Sequence, residues 1–205
     1  MRKEVSMVIA LLVVLICAGA GVYLLMGGSS SSQADMQDNP KKVEYVHGSY
    51  AVNPENTEEL VGFHDNVFVG KVVKWLGNKQ PKEGEFSIPY NEYEVEVLDN
   101  LKGELKDKVV IQKMGGYNEK NVLVLMGEED KKDRLPELGK SYIFIAGIDE
   151  EGKLIIDGSY SQIEVKEKMA DSRTKKEIQK YKKAVRNQIP YKREQSASKN
   201  VKVRE

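Results

Sequence analysis

The apolar positions fall into three regimes along the chain. Met7 to Met26 (MVIALLVVLICAGAGVYLLM) is twenty residues without a charge. As a helix with a rise of about 1.5 Å per residue it spans about 30 Å, the thickness of a bilayer core. From Val43 to Val165 the apolar runs are short, rich in Val, Ile and Tyr, and separated by turn residues, which predicts strands. In Asn91 to Leu98, Tyr93, Val95 and Val97 alternate with Glu92, Glu94 and Glu96, a period of two that sends the first set to a core and the glutamates to water. After Val165, Ile178, Tyr181, Val185 and Ile189 recur at helical spacing, which predicts a helix ended by Pro190.

Further strands are predicted at Asn66–Leu76, Val109–Met114, Asn121–Met126, Ser141–Gly147, Lys153–Asp157 and Ser161–Val165. Asn66–Leu76 (NVFVGKVVKWL) is the more fully apolar of them, and its internal Gly70 predicts a bulge or a barrel corner. Asp149-Glu150-Glu151-Gly152 reads as a hairpin turn with glycine supplying positive φ, and Gly115-Gly116 ends a strand sharply. Thr57–His64 reads as a short helix. Thr174-Lys175-Lys176-Glu177 matches a capping box and places the start of the C-terminal helix there.

The chain therefore divides into a span at 1–26, a Gly/Ser-rich linker at 27–42, a β-barrel body at 43–165 and a basic helix with a disordered tail at 166–205. Arg2 and Lys3 precede the span, which favours a cytoplasmic N-terminus and an extracytoplasmic body. The span reads as an uncleaved signal-anchor, because it exceeds the apolar length of a signal peptide. Cleavage after Ala18-Gly19-Ala20 or Ser32-Gln33-Ala34, and lipidation at Cys17, are the alternatives. The linker GGSSSSQADMQDNPKK would cover roughly 20–25 Å as a flexible coil.

Charge changes this picture in one respect. The 32 basic and 32 acidic residues cancel over the whole chain, yet residues 166–205 hold 14 basic and 5 acidic, a net of +9, and the rest of the chain is −9. A basic amphipathic helix can lie on an anionic surface, bind an anionic polymer, or pack its apolar stripe on its own domain. Lys175, Lys176, Lys180, Lys182, Lys183 and Arg186 are the candidate polyanion-binding residues. Cys17 is the one cysteine and falls within the span, so the body is built without disulfides.

The segments VFVGKVV, YEVEVLDNLKGELKDKVVI and LPELGKSYIFIAG together resemble the oligonucleotide/oligosaccharide-binding barrel of the netrin-like and tissue inhibitor of metalloproteinases superfamily. Membrane-anchored surface proteins of Gram-positive bacteria are similar. The resemblance implies an all-β fold, a small OB-like barrel, flanked by the N-terminal transmembrane helix and the C-terminal basic amphipathic helix. The inhibitors of that superfamily chelate zinc through a mature N-terminal cysteine, and the cysteine-free body departs from that pattern.

Chemistry is sparse. There are two histidines, His47 and His64, and His64 is expected on a solvated loop or at a strand entry. No H-E-x-x-H, G-x-S-x-G or Walker loop occurs in the sequence. The acidic runs Glu128-Glu129-Asp130 and Asp149-Glu150-Glu151 lack calcium-loop spacing and read as solvated turns. Barrels of this kind bind ligands with exposed rings, which makes Trp75, Tyr90 and Tyr117 the candidate ligand-binding residues. The expectation is a non-enzymatic, single-pass cell-envelope protein with neither cofactor nor metal, whose exported domain is a binding or interaction module for an anionic envelope polymer or a protein, not nucleic acid. A glycan-cutting enzyme using paired carboxylates and a protease-inhibitor-like binder are the alternatives.

Overall fold

The computed structural model describes residues 42–81, 88–127, 133–166 and 171–191. The Met7–Met26 span, most of the linker, the Glu128–Asp130 run and the chain beyond Tyr191 lie outside the described residues. Among the described residues no helix is long and apolar enough to cross a membrane.

Long strands form where apolar and polar residues alternate, or where both faces of a strand are covered. The elements in order are β1 (Val43–Val46), α1 (Thr57–Phe63), β2 (Asn66–Lys79), β3 (Tyr90–Lys102), β4 (Lys108–Met114), β5 (Gly116–Tyr117), β6 (Leu123–Met126), β7 (Ser141–Ile148), β8 (Leu154–Ile156), a 3₁₀ turn (Ser159–Ser161), β9 (Gln162–Val165) and α2 (Ser172–Arg186). β2, β3, β4, β8 and β7 pair in that order, and β7 closes back on β2, giving a five-stranded closed barrel. The β4–β8 contact is parallel and the other contacts of the ring are antiparallel. β9 adds to β7 along Ser141–Phe144. A small separate sheet orders β1, β6 and β5.

The barrel wall carries two cores. Phe68, Val72, Tyr93, Val95, Ile111, Tyr142, Phe144, Ala146, Leu154 and Ile156 fill the interior. On the opposite face of β2 and β7, Val67, Val69, Ile143 and Ile145 pack against Leu60 and Val61 of α1 and Ile178, Tyr181 and Ala184 of α2. This explains why NVFVGKVV and SYIFIAG are continuous apolar runs: successive side chains of a strand point to opposite faces, and here both faces are dry. Over residues 91–97 only one face of β3 is covered, and the alternation read there holds, with Tyr93 and Val95 inside. Its glutamates are met across the sheet by lysines, Glu94 by Lys108 at 2.9 Å and Glu92 by Lys79 at 3.7 Å.

Gly70 sits at a register shift in the β2–β3 ladder, as its place in the run predicts. A Cβ there would run into Val95 Cγ1 and the Phe68 ring, so glycine lets the wall bend inward over a full core. The Asp149–Gly152 turn also forms as expected: Gly152 N–H donates to Asp149 O at 3.0 Å, and its φ is +81°.

Both helices are fixed at their ends by polar side chains. Asn56 caps α1, its Oδ1 accepting from Glu58 N at 3.1 Å and Glu59 N at 3.4 Å. Lys102 at the end of β3 donates to Val61 O at 2.7 Å and His64 O at 2.6 Å, which satisfies carbonyls left open at the helix C-terminus and complements its dipole. The start of α2 differs from the capping-box reading. Asp171 is the cap, accepting from Arg173 N at 3.1 Å and Thr174 N at 3.2 Å. Thr174 is a buried residue inside the first turn whose Oγ1 accepts from Lys166 N at 3.1 Å. A carboxylate and a hydroxyl three residues apart both suit a cap, and burial of Thr174 against the barrel decides between them. Of the expected apolar stripe, Ile178 and Tyr181 are buried, Val185 is half-buried and Ile189 is exposed. The core therefore continues past Val165 into the basic segment.

This packing yields a contrast between two α2 residues. Ile178→Ala should cost about 2–4 kcal/mol of stability by emptying a packed site, whereas Lys176→Ala, on the exposed face, should change stability by less than about 0.5 kcal/mol. Urea denaturation of the two variants beside the parent measures both, and equal midpoints for all three would refute the packing.

Candidate functional site

A groove of about 550 Å³ opens on the outside of the barrel. Its floor comes from the sheet. Tyr90 opposes Met114 across β3–β4, and Gln112 opposes Ile155 across β4–β8, so these four side chains share one face. Its walls are two connections. Pro81 and Ile88 belong to the β2–β3 connection, and Asp149, Glu150, Glu151 and Lys153 to the β7–β8 turn. Gln112 is held by Glu92, whose Oε1 accepts from Nε2 at 3.0 Å.

The turn that forms one wall is rigid for a local reason. Asp149 Oδ1 accepts from Glu151 N at 2.9 Å and Lys153 N at 2.7 Å, an Asx-type closure that spends its carboxylate on the backbone. Lys153 Nζ pairs with Glu151 at 2.7 Å, and that hydrogen bond raises its pKa above the ordinary lysine value. Three acids and one lysine leave the rim with a net charge of −2. An apolar floor beneath a negative rim favours a ligand that presents a cation beside an apolar group, and disfavours a polyanion at this place.

A second polar cluster starts on the inner face of the same strand, because Lys113 stands between Gln112 and Met114 on β4 and points the other way. Lys113 Nζ donates to Asp133 Oδ2 at 2.6 Å and to Gly158 O at 3.1 Å. The two side chains are 0% and 2% exposed. Burial pushes the Asp133 carboxyl up from its ordinary value against the pull of Lys113. Nearby, Asp157 Oδ1 accepts from Ser161 Oγ at 2.8 Å and lies 3.4 Å from His64 Nε2. The serine hydroxyl thus bonds the carboxylate and not the imidazole, which is not the nucleophile–base pairing of a hydrolase.

His64 is not on a solvated loop. It is 5% exposed, with Nδ1 2.9 Å from Leu60 O and its ring edge-on to Phe63. A carbonyl only accepts, so Nδ1 carries a proton, and Nε2 faces a carboxylate, which favours a second. Burial alone would lower the pKa of His64, but the hydrogen bond and charge of Asp157, with a smaller contribution from Asp65, outweigh it and raise the value above the ordinary histidine range. Burial likewise opposes ionisation of Asp157, and the contacts with His64 and Ser161 outweigh it and lower its pKa. His64 does stand at the entry to β2, but α1 ends directly before it and the ring folds back over the last turn of that helix, so it is buried and not solvated.

The predicted rings separate. Tyr90 lies in the groove. Tyr117 is buried with Leu125 and Leu135, and its hydroxyl has no hydrogen-bond partner among the described residues. Trp75 is half-buried against the barrel core, its Nε1 donating to Asn91 Oδ1 at 2.8 Å. Asn91 in turn donates to Gly115 O at 3.0 Å, and Asn78 donates to Tyr117 O at 2.7 Å. Trp75 and Tyr117 therefore belong to a framework that ties β5 to the β2–β3 hairpin. Of the candidate cations, Lys175, Lys176, Lys180, Lys183 and Arg186 are exposed on the outer side of α2, while Lys182 pairs with Asp99 at 2.9 Å. His47 is exposed beyond β1. Among the described residues no group of three His, Cys, Asp or Glu side chains gathers as a metal site would require.

Lys113, Asp133 and Asp157 escaped the sequence reading. One signal was present: Lys113 stands in phase with Val109 and Ile111 on β4, so a lysine occupies a core-facing position. No signal identified Asp133, which reaches Lys113 from a connection 20 residues away. Compared with protein families and with curated proteins, the chain matches no family model and no curated protein.

The ionised His64–Asp157 pair fixes a pH dependence. A raised histidine contributes stability that is fully present below its unfolded value of about 6.5 and is lost as pH rises through its higher folded value. The lowered Asp157 contributes stability present above an unfolded value of about 3.9 and lost as pH falls through its lower folded value. Thermal unfolding should therefore show a melting temperature that declines from about pH 6 to pH 8, and His64→Gln should flatten that decline. An unchanged slope in the variant would refute the assignment.

Proposed function

We propose that the protein is a membrane-anchored, non-enzymatic binding module of the cell envelope. An OB-like barrel hangs outside the membrane on the Met7–Met26 anchor and the residue 27–42 spacer, and captures an extended protein segment in the Tyr90 groove. The carrying observation is where the groove lies. Counting barrel strands from β2, the ring order is 1-2-3-5-4-1. OB barrels bind ligands on the face of their second and third strands, between the loops joining strands 1–2 and 4–5. The groove is built on β3 and β4 and walled by the two corresponding connections. The same strand order supports kinship with the netrin-like barrels.

The rim chemistry narrows the ligand. A backbone laid across Tyr90 and Met114 would place an apolar side chain over Ile88 and Ile155 and a lysine or arginine against Glu150 and Glu151. A second contact is supported on α2. Its apolar stripe is used by the barrel, which leaves Lys175, Lys176, Lys180, Lys183 and Arg186 pointing outward for an anionic envelope polymer or lipid headgroups.

Full-length protein in detergent, applied to an immobilised hexapeptide array, should select sequences with a basic residue beside an apolar one. Tyr90→Ala should weaken that binding about tenfold or more, equivalent to about 1.4 kcal/mol, and Lys176→Ala should not. Equal binding by Tyr90→Ala and the parent would remove the groove from the account. Orientation is tested separately: protease added to intact cells should digest the barrel while cytoplasmic markers survive, and a protected barrel would reverse the topology.

A further inference from the structure

The Lys113–Asp133 contact brings an amine and a carboxyl, the two partners of an amide, together in the protein interior. The amine nitrogen and carboxyl oxygen are 2.6 Å apart, on side chains with 0% and 2% exposure. Both partners are oriented by the backbone. Nζ also donates to Gly158 O at 3.1 Å, and Asp133 Oδ1 accepts from Arg134 N at 2.9 Å. The carboxyl is thus held at one oxygen by an N–H and approached at the other by the amine.

We propose that Lys113 and Asp133 condense to an intramolecular amide, a covalent cross-link between β4 and the segment that leads into β7. The ammonium first passes one proton to the carboxylate, leaving a neutral amine and a carboxylic acid. The Nζ lone pair attacks Asp133 Cγ, forming the N–C bond. The Arg134 N–H, already on Oδ1, stabilises the oxyanion of the tetrahedral intermediate. A second amine proton moves to the hydroxyl on Cγ, the C–O bond breaks, and water leaves. One positive and one negative charge disappear together, and the reaction needs neither an oxidant nor a co-reactant.

Burial favours this direction. In water, hydration of the ions opposes condensation; here most of that hydration is lost on folding. Two groups fixed in contact react with an effective molarity that can reach about 10⁵–10⁸ M. Burial also raises the Asp133 carboxyl, the sense that populates the acid form. The product leaves no orphaned polar group, because the amide N–H can keep Gly158 O and the amide oxygen can keep Arg134 N–H. With Cys17 as the one cysteine, confined to the proposed anchor, an exported barrel would be stapled by an amide where others use a disulfide.

Mass spectrometry of full-length protein purified in mild detergent and digested with trypsin tests this. The expected product is a branched peptide joining residues 109–120 to residues 133–134, one water lighter than the sum of its parts, with Lys113 resistant to cleavage. Lys113→Arg should yield no branched peptide, because a guanidinium does not attack a carboxyl. Release of residues 109–113 as a free peptide from the parent would reduce the contact to a buried ion pair and overturn the proposal. So would a water loss that persists in Lys113→Arg. The branched peptide and the free 109–113 peptide are both read on the parent protein, so the deciding comparison does not depend on whether a variant folds.

Discussion

The rest of the structure depends on double-sided burial of β2 and β7. A strand presents alternate residues to two faces, and in an isolated five-stranded barrel one of these would meet water. Here Phe68, Val72, Tyr142 and Phe144 point into the barrel while Val67, Val69, Ile143 and Ile145 point out, so the outer face needs a cover. α1 and α2 supply it from opposite ends of the described domain. Burial on this scale, with each large aliphatic side chain worth about 1.5–3 kcal/mol against exposure, makes the basic segment part of the fold. Its charge lies on the outside because its apolar stripe is already spent.

The same constraint distributes the polar chemistry. Closing a barrel leaves two ends and one uncovered wall. At one end Lys113, Asp133, Asp157 and His64 enter positions that would otherwise be apolar, and each charge is matched: Lys113 by Asp133, His64 by Asp157. Desolvation of the fully buried pair, Lys113 and Asp133, costs several kcal/mol per ion, and only close pairing with further hydrogen bonds offsets it. The uncovered wall, on β3, β4 and β8, keeps Tyr90, Gln112, Met114 and Ile155 accessible. A groove forms there because the β7–β8 turn is closed on itself by Asp149 and stands above the sheet. The proposed binding role and the proposed amide thus use opposite faces of β4 and do not compete for residues.

Periodicity alone sufficed for every element governed by near-neighbour rules. The β3 alternation, the Gly70 bend, the Gly152 turn, the Thr57 helix and the helical stripe through Ile178 and Tyr181 were each legible, because strand pleat, turn sterics and helical pitch act over a few residues. Tertiary packing decided the cap of α2, where Thr174 and Asp171 were both eligible and only burial of Thr174 chose between them. It also decided which of three aromatic rings meets solvent in a groove. Trp75, Tyr90 and Tyr117 look alike in sequence, and separate only when Asn78 and Asn91 stitch the first and last of them into the hairpin framework.

The buried ions mark the boundary most clearly. That Lys113 faces inward follows from its phase with Val109 and Ile111, a property of β4 alone. That it meets Asp133, and that His64 meets Asp157 across 93 residues, depends on how distant connections return to the barrel end. A lysine at a core position fixes the need for a counter-charge, since an unpaired ion there is prohibitively costly. It does not fix the partner, because any carboxylate that the chain path brings within reach would satisfy it. Local alternation determined the strands and their faces; chain closure in three dimensions chose the charge pairs, the groove and the surface left to the basic helix.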